Sequence, residues 1–326
     1  MIITRTPLRI SIGGGGTDLP SYYRERTGMV ISAAIDKYIY IALNRTFTDD
    51  YFLKYSAVER AAKVGDIEHP IIREAFRLLE VRPSLEMVSM ADIPSGTGLG
   101  SSGTFTVGLL HAIRAMRREP VLQGDLAEQA CRIEIDQLGQ PVGKQDQYIA
   151  AFGGLTVFDF NPDESVDVQR LDVRSAVVRE LEDHLLLFFT GYSREAGGIL
   201  SDQKQRSEAG DKEMLDNLDR TKELGFQIKD ALLANDTARY AELMHEHWVA
   251  KRARSSGMSN DHIDRWYEIG RRNGALGGKL VGAGAGGFLM MFAEEPKRLR
   301  AALAEEGLEE VRFRFDLDGS TVVTRG

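Results

Sequence analysis

A glycine-rich segment between residues 94 and 104 carries the clearest chemical signal in the sequence. It lies between a strand-like stretch and an amphipathic helix that is predicted to begin at residue 101. Glycines let several backbone N–H groups point to one side, and a helix N-terminus adds unpaired donors and the positive end of its dipole. Such a segment is typical of a phosphate cradle. The residues expected to bind a phosphorylated cofactor are Pro94, Gly96, Gly98, Leu99, Gly100, Ser101, Ser102 and Gly103.

The same pattern has two other interpretations. One is a plain glycine turn with a serine cap, although four glycines within residues 96–103 exceed what a cap needs. The other is a dinucleotide site, because 98–103 and 282–287 both match G-x-G-x-x-G. Neither match has the strand, helix and distant acidic residue of a Rossmann fold. The Walker motif G-x-x-x-x-G-K-[ST] does not occur in the sequence.

Two carboxylates have positions that suit chemistry. Glu134 falls on the apolar stripe of a helix predicted over 124–138, where a buried carboxylate needs a partner such as a metal ion. The alternative places Glu134 at the margin of the stripe with its carboxylate in water. Asp146 follows a proline in a polar run, and it is either a general base or a helix cap.

Two further charged residues lie near the N-terminus. Arg9 is on the polar side of a strand predicted over 2–12, where it either meets a phosphate or lies on the surface. Asp18 follows four glycines, and its carboxylate either accepts hydrogen bonds from sugar hydroxyls or closes a turn. The histidines at 245 and 247 point to different faces of a helix, so we expect no transition-metal site there.

The elements predicted around these residues mix strands and helices without a regular alternation, which favours an α+β fold. Strands are predicted over 2–12, 29–47, 84–90, 154–160, 185–190, 287–293, 311–317 and 320–324. Helices are predicted over 67–80, 101–116, 124–138, 296–305 and most of 195–275. We place a domain boundary near residue 180, which divides the chain into 1–180 and 181–326.

Composition narrows the choice of partners. The chain has 326 residues and a net charge of -8, which argues against a nucleic-acid surface. It contains one cysteine, so no internal disulfide can form, and this suits the cytoplasm. No run of about 18 apolar residues is present, and we therefore expect no membrane span. The sequence leaves a monomer and a homodimer open.

Three segments together resemble the GHMP kinases, a family that includes galactokinase, homoserine kinase and mevalonate kinase. They are residues 6–18, 94–103 and 279–287, and they occur in the order found in that family. The resemblance implies two α+β domains, the first like the second domain of ribosomal protein S5 and the second ferredoxin-like. It also implies ATP and Mg²⁺ as cofactors.

The resemblance assigns roles to individual residues. The loop 98–103 would wrap the ATP phosphates, and Ser102, or its neighbour Ser101, would hold Mg²⁺ with Glu134. Asp146 would be the catalytic base, with Arg9 beside it. The residues implied to face the sugar are Gly16, Thr17 and Asp18, and those implied to support the phosphate loop are Gly282, Gly284 and Gly286.

Within the family, the GGGGTDLP, GKQDQY and TGYSR segments are most similar to kinases of D-glycero-D-manno-heptose 7-phosphate. That branch implies a sugar phosphate as the partner and its anomeric hydroxyl as the acceptor. The phosphate of such a sugar needs cations, for which Lys144, Arg194 and Lys279 are the candidates. The alternatives are a kinase of an unphosphorylated sugar such as L-fucose, and a non-catalytic sugar or nucleotide sensor.

The chain departs from the family pattern at two places. Galactokinases carry Glu-His where this chain has Gly15 and Gly16, which argues against galactose as the substrate. Gly103 stands where alanine is usual after the two serines, and we expect this difference to change little.

Overall fold

The computed structural model describes residues 1–191, 197–255, 257–284 and 286–325. Arg194, a predicted substrate-binding residue, lies outside these ranges. No helix within them is long and apolar enough to cross a membrane. The strands are β1 (Ile2–Gly14), β2 (Gly28–Arg45), β3 (Tyr51–Lys54), β4 (Val58–Ala61), β5 (Leu85–Ala91), β6 (Leu155–Phe160), β7 (Val166–Arg170), β8 (Leu185–Phe189), β9 (Ala275–Leu280), β10 (Phe288–Ala293), β11 (Glu309–Glu310) and β12 (Thr321–Arg325).

The helices lie mainly between these strands. They are α1 (Pro20–Tyr23), α2 (Pro70–Leu78), α3 (Ser101–Met116), α4 (Gln123–Cys131), α5 (Gln145–Phe152), α6 (Ser175–His184), α7 (Gly197–Glu208), α8 (Lys212–Leu233), α9 (Thr237–Arg254), α10 (Asp261–Arg272) and α11 (Pro296–Glu305). A short 3₁₀ turn spans Val64–Asp66, and α4 continues as a π-helical segment over Arg132–Gln137.

The N-terminal half is built on one large sheet. In the part of the chain that the structure describes, it has eight strands in the order β12-β1-β2-β5-β3-β4, and β6 pairs with both β2 and β7. Strands β1 and β2 are long and antiparallel, with Thr6 opposite Ile39. The alternation of apolar residues along β1 turns Leu8, Ile10 and Ile12 into the core, where each is at most 1% exposed. Arg9 consequently projects from the other face.

Helix α3 packs against β1, β2 and α5, and it has the bounds that its amphipathic pattern predicts. The apolar stripe of Phe105, Leu109, Ala112 and Ile113 is buried, and burial of each large side chain contributes about 1.5–3 kcal/mol. Gly108 lets the helix approach the sheet, because a Cβ there would lie 2.8 Å from the Thr6 hydroxyl oxygen. This packing fixes the N-terminus of α3 beside Arg9.

The C-terminal half contains a second sheet. Among the described residues it has four antiparallel strands in the order β11-β8-β10-β9. Helices α8 and α9 pack against each other, α9 covers β9, and α8 lies on β1. A Cβ at Gly13 would lie 3.2 Å from two carbon atoms of Ile228, so α8 crosses the end of β1 at close range. This crossing brings α9 to the glycine run at 13–16.

Two predictions of secondary structure need correction. The strand predicted over 311–317 is wrong, because only the short β11 and an isolated bridge between Ile35 and Phe315 form there. The helix predicted over 124–138 changes to π-helical geometry after Cys131. The boundary placed near residue 180 falls within α6 and stays a prediction. Because β12 pairs with β1, the end of the chain returns to the first sheet.

Candidate active site

A cleft of about 1120 Å³ opens where the two halves of the chain meet. Its walls include parts of β1, the glycines at 14–16, the loop 93–102, residues 140–143, 145 and 146, helices α7 and α9, and residues 279, 280, 282–284 and 286. The three segments that resemble the GHMP kinases therefore meet in one place. They come together through the packing of α3 and α8 on β1.

The glycine-rich loop leads into α3 without a side-chain cap. Gly96, Gly98 and Gly100 have φ angles of 75°, 84° and 78°, a left-handed region that favours glycine. Gly100 precedes the first turn of α3, and no side chain of the described residues caps that turn. The first N–H groups of α3 therefore face the cleft with the positive end of the helix dipole, as an anion site requires.

The third glycine segment supports this loop directly. A Cβ at Gly98 would lie 2.7 Å from the Val281 carbonyl oxygen, and a Cβ at Gly282 would lie 2.5 Å from the Gly98 Cα. Gly284 packs against Met258 instead, and Gly286 lies in the cleft wall with a φ angle of 157°. Gly282 is thus the member of the segment whose backbone must approach the loop.

Arg9 and Asp146 form a partly buried ion pair beside the loop. Arg9 Nε donates to Asp146 Oδ1 at 2.8 Å, and Arg9 Nη2 lies 2.6 Å from the same atom. Arg9 Nη1 donates to the Gly98 carbonyl at 2.5 Å, which ties the pair to the loop. The Arg9 side chain is 7% exposed and that of Asp146 is 28% exposed. Asp146 lies in the first turn of α5, and its carboxylate faces the cleft.

Gly103 allows this arrangement. A Cβ at position 103 would lie 2.9 Å from the Asp146 Cβ and 3.0 Å from the Gln147 backbone nitrogen, which is closer than carbon atoms normally approach. This close approach argues against the expectation that glycine in place of alanine changes little. Helix α5 approaches α3 so closely that an alanine would have to displace the turn carrying Asp146.

Glu134 is buried rather than at the margin of its stripe. It is 0% exposed, and its Oε1 accepts a hydrogen bond of 2.9 Å from Gln147 Nε2. Its Oε2 is buried without a hydrogen-bond partner among the described residues. Burial raises the pKa of Glu134 to about 7, while the neighbouring side chains of Ser102 and Gln147 act in the opposite direction. An unpaired buried carboxylate oxygen beside Ser102 suits a cation.

The residues after the glycine run differ in their access to the cleft. Asp18 lines it, and its carboxylate accepts hydrogen bonds from the Gly16 nitrogen at 3.0 Å and the Gln145 nitrogen at 3.2 Å. Burial and the neighbouring Asp146 raise the pKa of Asp18, and these backbone donors oppose them. Thr17 is 0% exposed, and its hydroxyl bonds to the backbone of Met29, so it does not face the sugar.

Of the predicted phosphate-binding cations, Lys279 lines the cleft and Lys144 does not. Lys279 lines the cleft, and its Nζ donates to the Ile12 carbonyl at 3.2 Å. Burial lowers the pKa of Lys279 to about 7, and the charge of Arg9 acts in the same direction. Lys144 points elsewhere, because its Nζ lies 3.2 Å from Glu164 and 3.5 Å from Glu128 on the outer side of α5.

Sequence reasoning missed three residues of α9 that line the cleft. His247, Lys251 and Arg254 are spaced four and three apart, so they share one face of the helix. Each is at most 8% exposed. The spacing of these three residues can be seen in the sequence, but in so highly charged a segment it resembles an ordinary solvent-exposed helix face. The packing of α9 against α8, β9 and β1 buries this face.

Comparisons with known proteins agree with this arrangement. The model of the N-terminal domain of GHMP kinases matches residues 38–154, and that of the C-terminal domain matches residues 228–308. The chain is 33% identical over 334 residues to the D-glycero-alpha-D-manno-heptose 7-phosphate kinase of Campylobacter jejuni, covering 98% of this chain and 97% of that protein.

Two more distant relatives extend the comparison. The chain is 25% identical over 332 residues to a bifunctional fucokinase/GDP-fucose pyrophosphorylase of Arabidopsis thaliana, which covers 94% of this chain and 31% of that protein. A crystal structure of a D-glycero-D-manno-heptose 1-phosphate kinase from Bacteroides thetaiotaomicron has a TM-score of 0.82 at 24% identity, with 100% of both chains covered. This last likeness concerns the fold, and the predicted two-domain GHMP kinase fold is confirmed. The chain therefore belongs to the GHMP kinase family and is an ATP-dependent small-molecule kinase.

Proposed function

We propose that the protein transfers the γ-phosphate of ATP to the anomeric hydroxyl of D-glycero-D-manno-heptose 7-phosphate, which gives the 1,7-bisphosphate. The observation that carries the proposal is the Arg9–Asp146 pair, held between the glycine-rich loop and the cleft. The choice of sugar is supported by the 33% identity to the Campylobacter jejuni heptose 7-phosphate kinase over nearly the whole chain.

Asp146 is the proposed base. The acceptor oxygen attacks the γ-phosphorus in line, the bond from that phosphorus to its bridging oxygen breaks, and ADP leaves. The hydroxyl proton passes to the Asp146 carboxylate, which Arg9 holds in place through Oδ1. A positioned base of this kind contributes about 10²–10⁴-fold to the rate. The loop and the α3 N-terminus bind the phosphates, because phosphoryl transfer depends mainly on positioning and electrostatics.

Mg²⁺ is the proposed metal. Ser102 and Glu134 would hold it, since the unpaired Glu134 Oε2 lies behind the first turn of α3. When bound, the ion supplies positive charge to the phosphate oxygens of ATP. The chain's own contribution there is to keep Glu134 buried and oriented through Gln147.

Asp18 is the proposed contact for sugar hydroxyls. Its carboxylate lies in the cleft wall, and its position is fixed by two backbone donors, so it is ready to accept further hydrogen bonds.

A second candidate acceptor is L-fucose, which has no phosphate. It is favoured by the similarity to the Arabidopsis thaliana fucokinase across 94% of this chain. The two candidates differ in whether the cleft must also bind the phosphate of the acceptor.

The test is ADP release with Mg²⁺-ATP and a panel of acceptors: heptose 7-phosphate, fucose, galactose, mannose and mevalonate. The proposal predicts turnover with the sugar phosphate and none above background with the others. Turnover with fucose alone would keep the kinase chemistry and replace the acceptor. Turnover with mevalonate alone would overturn the assignment to a sugar.

A further inference from the structure

A buried guanidinium without a counter-ion lies at the end of the cleft next to the glycine run. Arg254 is 5% exposed, and its N–H groups donate to Asn217 Oδ1 at 3.0 Å, Gln203 Oε1 at 3.3 Å and Thr221 Oγ1 at 2.8 Å. All three acceptors are neutral. Among the residues that the structure describes, Arg254 forms no ion pair, although the charge of Asp18 acts on it from a greater distance. Because an unpaired buried charge is costly, this position calls for an anion.

The contacts of Asp18 relate the position of Arg254 to that of the proposed base, Asp146. The Asp18 carboxylate accepts hydrogen bonds from the backbone nitrogen of Gln145, which precedes Asp146, and from that of Gly16. A Cβ at Gly16 would lie 2.4 Å from Arg254 Nη1, so Asp18 is linked to the proposed base on one side and to the guanidinium on the other. An acceptor whose reacting hydroxyl is at Asp146 and whose other hydroxyls meet Asp18 would extend toward Arg254.

The Arg254 guanidinium can occupy its position because residue 16 is a glycine. A Cβ at Gly16 would lie 2.4 Å from Arg254 Nη1, so a side chain at that position would displace the group. Gln203 joins the two, since its Nε2 donates to the Gly16 carbonyl at 2.7 Å and its Oε1 accepts from Arg254. The glycine at 16 and the arginine at 254 consequently form one structural unit.

The surrounding potential is positive. Lys251 lies one turn before Arg254 on α9 and lines the same cleft, with its Nζ donating to the carbonyls of Leu280 and Gly282. Burial lowers the pKa of Lys251 well below its usual value, and the charges of Lys279 and Arg254 add to this effect. Such mutual repulsion between cations is relieved when an anion binds among them.

We propose that Arg254 binds the phosphate group that the acceptor already carries, with Lys251 adding positive potential. The inference rests on the proposed function and names the part of the site that distinguishes a phosphorylated from an unphosphorylated sugar. The phosphates of ATP occupy the other side of the Arg9–Asp146 pair, at the glycine-rich loop. Arg9 thus orients the proposed base beside the transferred phosphate, and Arg254 binds the phosphate that stays on the acceptor.

A kinetic comparison of two acceptors tests the inference. The variants are Arg254→Met and Arg254→Lys, and the control is Arg252→Met, which removes an exposed arginine of the same helix that pairs with Asp264. With heptose 7-phosphate, Arg254→Met should lower kcat/KM by about 10- to 100-fold, as for the loss of a charged hydrogen bond. With the free heptose it should change kcat/KM little, and Arg254→Lys should recover part of the loss. Equal losses with both acceptors would overturn the inference.

A binding measurement separates the inference from the proposed function. Inorganic phosphate is titrated calorimetrically into enzyme saturated with Mg²⁺ and a non-hydrolysable ATP analogue, so that the nucleotide site is occupied. Wild type and Arg252→Met should bind phosphate, and Arg254→Lys should bind it more weakly. If the panel of acceptors excludes heptose 7-phosphate but this pattern holds, the sugar is wrong and the anion site stands. If wild type and Arg254→Lys bind alike, or neither binds, the anion site is wrong.

Discussion

Both contacts between Arg9 and Asp146 converge on one carboxylate oxygen. Arg9 Nε and Nη2 lie 2.8 and 2.6 Å from Oδ1, whereas Oδ2 points toward Gly100, where a Cβ would lie 3.3 Å from it. The arginine therefore orients the carboxylate through one oxygen and leaves the other turned to the start of the phosphate loop. A base that receives a proton beside the γ-phosphate needs one carboxylate oxygen held in place and the other turned toward the reacting groups.

Replacing Arg9 by lysine tests its positioning role. A lysine keeps the charge but cannot contact Asp146 and the Gly98 carbonyl in the same planar arrangement. We expect kcat to fall by about 10- to 100-fold, since a charged hydrogen bond is lost, with KM for ATP nearly unchanged. Steady-state kinetics provide the measurement. Arg5→Lys, on the same face of β1 over Tyr38, is the control and should retain activity. Equal kcat for the two variants would contradict the assigned role.

Gly103→Ala tests the close approach of α3 and α5. The added Cβ must displace the turn that carries Asp146, so activity should fall even though alanine favours helices. We expect a cost of about 1–3 kcal/mol in the free energy of unfolding, as for other overpacked sites. Gly124→Ala in α4 is the matched control, because a Cβ there meets nothing within 4 Å. The measurements are urea unfolding and kcat. A fully active and fully stable Gly103→Ala variant would show that the turn adjusts freely.

The parts that sequence could predict are those set by local pattern. The apolar stripe of α3 gave its bounds, and the spacing around Glu134 indicated a carboxylate on a buried face, which is confirmed. The glycine segments were recognisable because their backbone geometry demands glycine. Their meeting in one cleft came from the family resemblance rather than from the pattern.

The parts that sequence could not predict depend on non-local packing. Arg254 lies two residues after the exposed Arg252 in a charged helix, and it is buried by contacts with Gln203 of α7 and with Asn217 and Thr221 of α8. Lys144 lies two residues before Asp146, yet the turn of α5 sends its side chain to Glu164. The alternation at 311–317 resembles a strand, but the one β-bridge that these residues form joins Phe315 to Ile35.

Glu134→Gln should alter how stability depends on pH. Burial raises the pKa of Glu134 from 4.5 to about 7, so between these values the folded protein holds a proton that the unfolded chain has released. Wild-type stability attributable to this group therefore falls as pH rises through this window, by about 3 kcal/mol in total. The Glu134→Gln variant does not show this loss, because glutamine has no proton to release in this pH range. It should be more stable than wild type at pH 8 by roughly that amount, and similar at pH 4.5.

The experiment is urea unfolding at several pH values with EDTA and without nucleotide. Glu305→Gln, an exposed glutamate in α11, should follow the wild-type curve. If the difference in free energy of unfolding between wild type and Glu134→Gln does not change with pH, Glu134 is not held in an unfavourable charged state.

Single-turnover ADP formation by Asp146→Asn tests most directly whether Asp146 is the base. The change keeps the size of the side chain and its place in the first turn of α5, so the variant should fold and bind a non-hydrolysable ATP analogue as tightly as wild type. Asp216→Asn, at an exposed position of α8, is the control. With heptose 7-phosphate as acceptor, we expect a rate about 10²–10⁴-fold below wild type for Asp146→Asn and an unchanged rate for the control. A near-wild-type rate in Asp146→Asn would contradict it.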